Sequence, residues 1–331
     1  MIPRLRHDFN QRYRPEAYRK MLHSLDACVR THVKFPVAET PVFVSRSMLD
    51  EMSAIGAGVL RRLVNDREYL QSSRACIPPE CRFADETPHP HFAAADFLPT
   101  RGPTGRAVSR LAHLQAGPLA FGFQFVLNEL YRSAYGMDPR LCYFLGGHTE
   151  ASFWKLLQKT ILRGHHPDHV VLAGVHVQEQ KLLPDMQVMA ERLGLEIVEL
   201  ASLEPDGTRL SYRKGEKSVP VYRVYCYFDP AEMGCGEPEL QFDPGNVFDV
   251  EWAGHPNWHF HLRRREYEPP RAGHDGEVSI ETPMGRVSPE MRILYLWPDA
   301  GEPEAVLPQA RLKSERGTTA AISAVLFPGD E

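Results

Sequence analysis

The stretch that decides the fold is His169-Val170-Val171-Leu172-Ala173-Gly174-Val175, followed by a segment from Pro184 to Gly194 and then by Glu196-Ile197-Val198-Glu199-Leu200. The first and last runs are short and apolar, and they are rich in β-branched residues, as buried strands are. Between them Pro184 stands where a first helical turn tolerates proline, and Gly194 ends the helix. A strand, a helix and a strand of these lengths predict a parallel βαβ unit within an α/β protein.

Outward from this unit, the sequence predicts helices and strands that give a mixed α/β and α+β fold. The helices are expected at 18–29, 119–135 and 150–163, the last of them capped by Thr149. Strands are expected at 92–97, 107–115, 278–280 and 291–297, and a hairpin joins 210–212 to 219–227. The end of the chain, from Leu312, is predicted to be a polar tail. We divide the chain into three regions, 1–145, 146–230 and 231–331.

The composition excludes several classes of function. The chain has 38 basic and 43 acidic side chains and a net charge of −5, which argues against general nucleic-acid binding. The basic run Arg263-Arg264-Arg265 is typical of a solvated face. The sequence has no apolar stretch long enough to span a membrane and begins without an apolar signal region. Its 6 cysteines form no CxxC pair. A cytoplasmic protein with free thiols and no membrane partner is expected.

The common phosphate-binding and hydrolase motifs are absent. The sequence contains no G-x-G-x-x-G, no G-x-x-x-x-G-K-[ST] and no G-x-S-x-G. The loop after the first βαβ strand is polar instead of glycine-rich, and open α/β sheets bind ligands at this end of their strands. Its side chains are therefore either small-molecule contacts or part of a solvated loop, the candidates being Gln178, Gln180 and Lys181.

The segment from Glu251 to His261 is dense in groups that bind or catalyse. His255, His259 and His261 are candidate metal ligands, with Glu251 as a further donor, because imidazole suits zinc and iron. Their spacing matches no defined metal motif. Packed or hydrogen-bonded histidines are the alternative.

Several phrases, in a fixed order over roughly residues 20 to 312, resemble an uncharacterised bacterial family related to ATP-grasp ligases. These relatives are the glutathionylspermidine synthase-like, circularly arranged enzymes. The phrases are Glu39-Thr40-Pro41-Val42-Phe43, Asp96-Phe97 with 111–118, 161–181 with Pro184 and Asp185, Val219-Pro220-Val221-Tyr222-Arg223-Val224-Tyr225, Val250-Glu251-Trp252 with His255-Pro256-Asn257-Trp258, and Glu290-Met291-Arg292-Ile293-Leu294-Tyr295-Leu296-Trp297.

The resemblance implies an ATP-grasp-like body that uses ATP and magnesium to activate a carboxylate, which an amine then attacks. Glu290 and Arg292 match a Glu-x-Arg expected beside the metal and the phosphates, and Gln115 matches a glutamine of the substrate-side strand. On this basis the expected catalytic residues are Glu290, Arg292 and His113, and the expected substrate-binding residues are Gln115, His255, Asn257 and Lys181.

The chain departs from these relatives where ATP would be held. Relatives carry a lysine-bearing, glycine-rich lid after the His-Pro-Asn-Trp phrase. Here the interval between Trp258 and Glu290 contains no lysine, and it has about half the length that several strands and helices need. Pro308 stands where relatives place a metal-binding asparagine, and His113 replaces a glutamate. The short interval predicts a truncated lid. Electrostatic contacts to a transition state contribute about 3 kcal/mol each, so the loss of several of them predicts very slow ligation.

The first functional hypothesis is therefore a degenerate ATP-grasp-like protein, a pseudoenzyme that binds a small molecule or a partner, such as a complete ligase. The second is an enzyme that reuses the old cleft for acid–base or metal chemistry. The third is a C–N bond-forming ligase that a partner subunit completes. ATP and magnesium are expected from the resemblance, although the chain lacks most of the machinery that holds them.

Overall fold

The computed structural model describes residues 1–102, 107–235, 239–263, 278–314 and 320–329. The helices are α1 Pro3–Arg12, α2 Pro15–Val29, α3 Arg46–Asn65, α4 Arg67–Arg74, α5 Phe121–Ala134, α6 Glu150–Leu162, α7 Leu183–Leu193 and α8 Asn257–Arg263. The strands are β1 Val42–Phe43, β2 Phe92–Arg101, β3 Ala107–Ala116, β4 Leu141–Cys142, β5 Val170–Gly174, β6 Glu196–Glu199, β7 Glu204–Asp206, β8 Arg209–Lys214, β9 Lys217–Val221, β10 Arg223–Cys226, β11 Glu251–Ala253, β12 Ile280–Thr282, β13 Gly285–Leu296, β14 Glu304–Ser314 and β15 Ala321–Pro328. Within these ranges, every helix is too short or too polar to cross a membrane.

The larger sheet has 8 strands in the order β1-β15-β14-β13-β2-β3, with β12 beside β13 and β4 beside β15. Neighbouring strands are antiparallel, except that β1 runs parallel to β15. Side chains alternate across the sheet, so Met291 and Ile293 pack in a core with α3 while Arg292 lies on the opposite face. The sheet takes strands from both ends of the chain, and the three-region division made from the sequence stays a prediction.

The second sheet is parallel, in the order β11-β10-β5-β6. Since α7 connects β5 to its parallel neighbour β6, the predicted βαβ unit is confirmed. Leu172 of β5 packs with Met186 and Met189 of α7 in one core cluster. A small antiparallel sheet, β7-β8-β9, lies beside it in the chain. The fold is the mixed α/β class that the sequence predicted.

The predicted hairpin strand 219–227 is two strands in different sheets, so that prediction was wrong in extent. β9 pairs with β8, whereas β10 pairs with β5 and β11. The first residue of β10, Arg223, is 1% exposed and donates to the Thr160 and Ile161 carbonyls, each at 2.9 Å. A buried guanidinium therefore holds the open carbonyls at the end of α6 and fixes β10 in the parallel sheet.

The polar tail predicted from Leu312 is wrong as well. Leu312 lies within β14, and the chain returns as β15 between β14 and β1. In β15 the side chains of Val325, Leu326 and Phe327 are 0% exposed. In the sequence, polar residues follow Leu312 and stand between the two strands. For this reason the sequence analysis did not predict β15.

Five successive carbonyls just before β1 each accept a hydrogen bond from a side chain of another element. The acceptors are the carbonyl oxygens of residues 37–41, and the donors, in the same order, are Tyr18, Tyr131, Tyr135, Ser323 and Arg6. Buried carbonyls need such partners when regular secondary structure does not supply them. These side chains therefore fix an irregular segment in one conformation.

Replacing Tyr131 with phenylalanine removes one of these donors from the Ala38 carbonyl. Because Tyr131 is 0% exposed, water cannot take the place of its hydroxyl. We expect the free energy of unfolding to fall by about 1–3 kcal/mol, measured by urea denaturation. The matched control is Tyr18→Phe, which removes a hydroxyl from a part-buried bond and should cost less; equal losses would contradict the argument.

Asp185 is a buried carboxyl group that joins α7 to α5 and β10. Its Oδ1 accepts from the Phe123 N–H in the first turn of α5 at 2.6 Å, and its Oδ2 accepts from the Tyr227 hydroxyl at 2.5 Å. It thus caps the N-terminus of a neighbouring helix. Burial raises the pKa of Asp185 to about 7, and the hydrogen bonds from Tyr227 and Phe123 offset only part of this effect.

We expect Asp185→Asn to change how stability depends on pH. The folded-state pKa lies above the ordinary value of 3.8, so between about pH 4 and pH 7 the folded protein holds a proton that the unfolded chain has released. The stability from this group is complete below that range and falls by up to about 1.4 kcal/mol per pH unit within it. In urea denaturation at several pH values, the difference between wild type and Asp185→Asn should shrink as pH rises. Parallel profiles would show that Asp185 does not titrate there.

Candidate functional site

A cleft of about 700 Å³ opens at the carboxyl ends of β5 and β10. The loops that follow these strands line one side, and β3 and α8 line the other. Parallel sheets bind ligands at this edge, and the volume is in the range of small-molecule pockets. The polar lining consists of His113, Gln115, His176, Glu179, Gln180, Lys181, Asp229, Glu232, His259 and Arg263.

The loop after β5 brings an unpaired cation to the cleft. Lys181 is exposed, and no residue of the described ranges forms an ion pair with it. Gln180 beside it is fixed, since it donates to the Glu232 carboxylate at 2.9 Å. His176 has a φ of 48°, a left-handed conformation that is rare outside glycine and is frequent at functional sites. Of the candidates in this loop, Gln180 and Lys181 line the cleft and Gln178 does not.

The β3 side of the cleft carries His113 and Gln115, which are linked to buried charges behind them. Gln115 accepts a hydrogen bond from Arg292 at 3.0 Å. Arg292 also binds both oxygens of Asp96, at 2.7 and 2.9 Å, and His113 Nδ1 lies 3.7 Å from the same carboxylate. Burial would raise the pKa of Asp96, but the hydrogen bonds from Arg292 and the nearby His113 outweigh it and hold this pKa well below its usual range.

The α8 side of the cleft carries His259 and Arg263, which meet Asp229 from the loop after β10. His259 Nε2 lies 3.1 Å from the Asp229 carboxylate and 3.2 Å from the Arg263 guanidinium. The chain leaves β3 at Gly117, where φ is +120° and an added Cβ would meet His259 Nδ1 at 3.4 Å. Burial lowers the pKa of His259, while the negative charge of Asp229 acts in the opposite direction. Burial therefore favours the neutral form of the imidazole.

Asn257 and His261 lie outside the cleft, where they bind the loop before β2. Both donate to the Glu86 carboxylate, at 2.9 and 3.0 Å, and Arg74 of α4 completes the group at 2.9 Å. Burial would raise the pKa of Glu86, but the hydrogen bonds from His261 and Asn257 prevail and lower it to about 2. Asn257 and His261 are 1% and 0% exposed. Their position is that of an anchor for α8.

His255 is also removed from the cleft, at 1% exposure, with Nε2 at 2.9 Å from the Ala84 carbonyl. Burial lowers its pKa to about 4. His259 and His261 belong to a helix, in which side chains two positions apart face nearly opposite directions. The three candidate histidines are therefore separated. In the described ranges, no group of three or more His, Cys, Asp or Glu residues could hold a metal ion.

Glu290 lies on β13 and binds cations of the neighbouring strand instead of facing the cleft. One of its oxygens contacts Arg311, and the other contacts Lys313 at 3.0 Å. Pro308 is paired with Ile293 in the register of β13 and β14. Arg292 does not line the cleft and is linked to it through Gln115 and through the Asp96–His113 contact. The predicted lid interval includes residues 264–277, which lie outside the described ranges.

Several cleft residues were missed by the sequence analysis. Asp229 and Glu232 follow β10, which the sequence merged with the preceding hairpin strand. The sequence signal that could have found them is the apolar run ending at Phe228, because Asp229 directly follows it and these apolar side chains are buried in the structure. Arg263 was assigned to a solvated basic run, of which residues 264 and 265 lie outside the described ranges.

No family model and no curated protein matches this chain. Among solved structures, a glutathione synthetase-like effector from Globodera pallida, in its apo form, is similar to it. The match has a TM-score of 0.57 and covers 95% of this chain and 97% of that chain, at 11% sequence identity. At this identity the likeness shows a shared fold alone. It supports the predicted ATP-grasp-like fold.

Proposed function

We propose that the protein binds a polar small molecule in the cleft and has lost ordinary ATP-dependent carboxylate–amine ligase activity. One observation carries the binding part of this proposal. Polar side chains from β3, α8 and the loops after β5 and β10 converge on a single cavity of about 700 Å³. Clefts of this size with convergent polar groups are the usual sites of small ligands.

Lys181 offers one point of contact for an anionic group of a ligand, in a cleft that also contains the carboxylates of Glu179, Asp229 and Glu232. Asp229 is occupied by His259 and Arg263, and Glu232 accepts from Gln180. Lys181 has no such partner among the described residues. A carboxylate or phosphate at Lys181 would form a charge-assisted hydrogen bond, which is stronger than a neutral one. His113 and Gln115 would contact its polar body.

The donor set of the larger sheet does not fit a magnesium–ATP site. In nucleotide sites magnesium is held by one or two free carboxylates together with water and phosphate oxygens, in near-octahedral geometry. Glu290 and Asp96 are instead bound to arginines, at 2.7 Å between Asp96 and each of Arg292 and Arg311. Pro308 supplies no donor where relatives have asparagine. These contacts support the loss of ligase activity.

A second candidate function rests on the two His–Asp pairs at the cleft. His113 lies near Asp96, and His259 contacts Asp229. A neutral imidazole held by a carboxylate can take a proton from a bound molecule, and its charged form can return one. The cleft could then serve acid–base chemistry without ATP.

Thermal-shift screening of small carboxylates, phosphates and zwitterions, followed by calorimetry, tests the binding function. We expect at least one anionic compound to bind saturably and to raise the melting temperature. Lys181→Ala should weaken that binding at least about tenfold, the loss of one strong ionic contact. Lys155→Ala removes an exposed lysine of α6 outside the cleft and should leave it unchanged.

Calorimetry with ATP and magnesium tests the loss of the ligase function separately. No saturable binding is expected at millimolar nucleotide. Saturable binding would overturn this part of the proposal and favour a ligase. If neither nucleotide nor any anionic compound binds, the cleft is not a ligand site.

A further inference from the structure

A groove of about 560 Å³ lies between α6 and the last turn of α7, away from the cleft. Its lining includes Glu150, Trp154, Lys155 and Gln158 of α6 and Arg192 of α7. None of these five residues lines the cleft at the ends of β5 and β10. Neither proposed function gives the groove a role, so its charged lining is unexplained.

Two aromatic rings fix the orientation of Arg192 in this groove. Its guanidinium carbon lies 5.1 Å from the ring centroid of Trp154 and 5.5 Å from that of Phe125. The two rings pack edge to face, with their centroids 5.4 Å apart. They attract the cation through their faces and leave its N–H edges open. A guanidinium held in this way loses less conformational freedom on binding a ligand than a mobile one does.

The N–H groups of Arg192 form no hydrogen bond with any residue of the described ranges. The carboxylate of Glu150 is paired with it at 3.7 Å, which is too long for a hydrogen bond. The side chains of Arg192 and Glu150 are 48% and 52% exposed. A molecule in solution therefore reaches the guanidinium, which offers it a fixed fork of N–H donors.

Lys155 and Gln158 bring further donors to the groove. They are three positions apart on α6, so their side chains are neighbours on the helix surface. Both residues are exposed. Neither side chain forms a hydrogen bond or an ion pair with another residue in the part of the chain that the structure describes. Unpaired donors from two helices thus meet in one cavity.

The charges of the groove favour an anion that carries more than one charge. Arg192 and Lys155 are cations, and Glu150 opposes them with one carboxylate. The C-terminal carbonyls of α7 add a negative partial charge beside Arg192. A singly charged anion gains little from such exposed charges. A phosphate dianion gains more, because its oxygens accept charge-assisted hydrogen bonds and match the guanidinium fork in pairs.

We propose that this groove binds a phosphate group in its dianionic form, as inorganic phosphate or as a phosphate monoester. Two of its oxygens accept from the N–H groups of Arg192, and a third accepts from the Lys155 ammonium and the Gln158 amide. The site is independent of the cleft, and its donors lie on the solvent-exposed side of α6 and α7.

The test is fluorine NMR of the protein labelled with 5-fluorotryptophan, which reports on Trp154 inside the groove. The chain has four tryptophans, and Trp154→Phe assigns the signal. Inorganic phosphate, phenyl phosphate and nitrate are titrated separately at pH 8 and constant ionic strength, where phosphate is mainly a dianion.

We expect the Trp154 signal to shift saturably with both phosphates, while nitrate, a monoanion, binds at least about tenfold more weakly. Tighter binding of phenyl phosphate would identify a monoester as the ligand, and equal binding would identify the free ion. A Trp154 signal that does not respond to phosphate, or that responds equally to nitrate, would overturn the proposal.

Variants locate the site by opposite effects. Arg192→Lys keeps the charge and removes the fork, and it should weaken phosphate binding at least about tenfold. Lys155→Ala should weaken it severalfold, whereas Glu150→Gln removes the opposing charge and should tighten it severalfold. Lys181→Ala in the cleft should leave the Trp154 response unchanged, and for a compound that binds in both places it removes the cleft component alone.

Unchanged binding by Arg192→Lys, or weaker binding by Glu150→Gln, would overturn the assignment, with folding checked by circular dichroism. General damage to the fold cannot produce the tighter binding expected of Glu150→Gln. If Arg192→Lys disturbs the packing of Trp154, the Glu150→Gln variant and the ligand series on the wild-type protein decide the question.

Discussion

The carboxyl group of Asp185 holds together three of the four segments from which the cleft is built. Its own helix, α7, follows the loop that carries Lys181. Through Phe123 it fixes the start of α5, which follows the β3 side of the cleft, and through Tyr227 it fixes the chain just before Asp229. Because both oxygens are engaged and the group is buried, none of the three segments can shift without leaving a polar group unpaired. The geometry of the cleft therefore depends on one side chain that does not itself line it.

The larger sheet and the cleft differ in how their charges are matched. Across β3, β2 and β13 the register aligns His113, Asp96 and Arg292, and the carboxylate is held by arginines. Charges removed from water require such partners, so this face is complete as it stands. The cleft differs because Lys181 forms no ion pair with the described residues, although carboxylates line the same cavity.

The sequence predicted the parts of the fold that leave a local pattern. The βαβ unit was found because its apolar runs are continuous and bounded by Pro184 and Gly194. The sequence could not show that Arg223 begins a new strand, because the partners of Arg223 are the carbonyls of α6, far away in the sequence. This missed boundary hid Asp229 and Glu232, which line the cleft.

The candidate residues divide in the same way. Gln115, His113, Lys181 and His259 line the cleft, whereas His255, Asn257 and His261 are buried in contact with residues 83–86. Both groups are polar, and local spacing does not separate a side chain facing a cavity from one that anchors a helix. Asn257 and His261 face away from the cleft because they bind Glu86, which is more than a hundred residues earlier in the chain. Only the folded structure shows this contact.

The five anchored carbonyls before β1 constrain the order in which the protein can form. Residues 37–41 are synthesised before the hydroxyls of Tyr131 and Tyr135, which lie 93 and 96 residues after their acceptors. Ser323, the donor to the Thr40 carbonyl, is 283 residues later. That bond cannot exist until Ser323 has left the ribosome. The segment before β1 therefore stays incomplete until β15 forms, and a contact of such long sequence separation is expected to form late in folding.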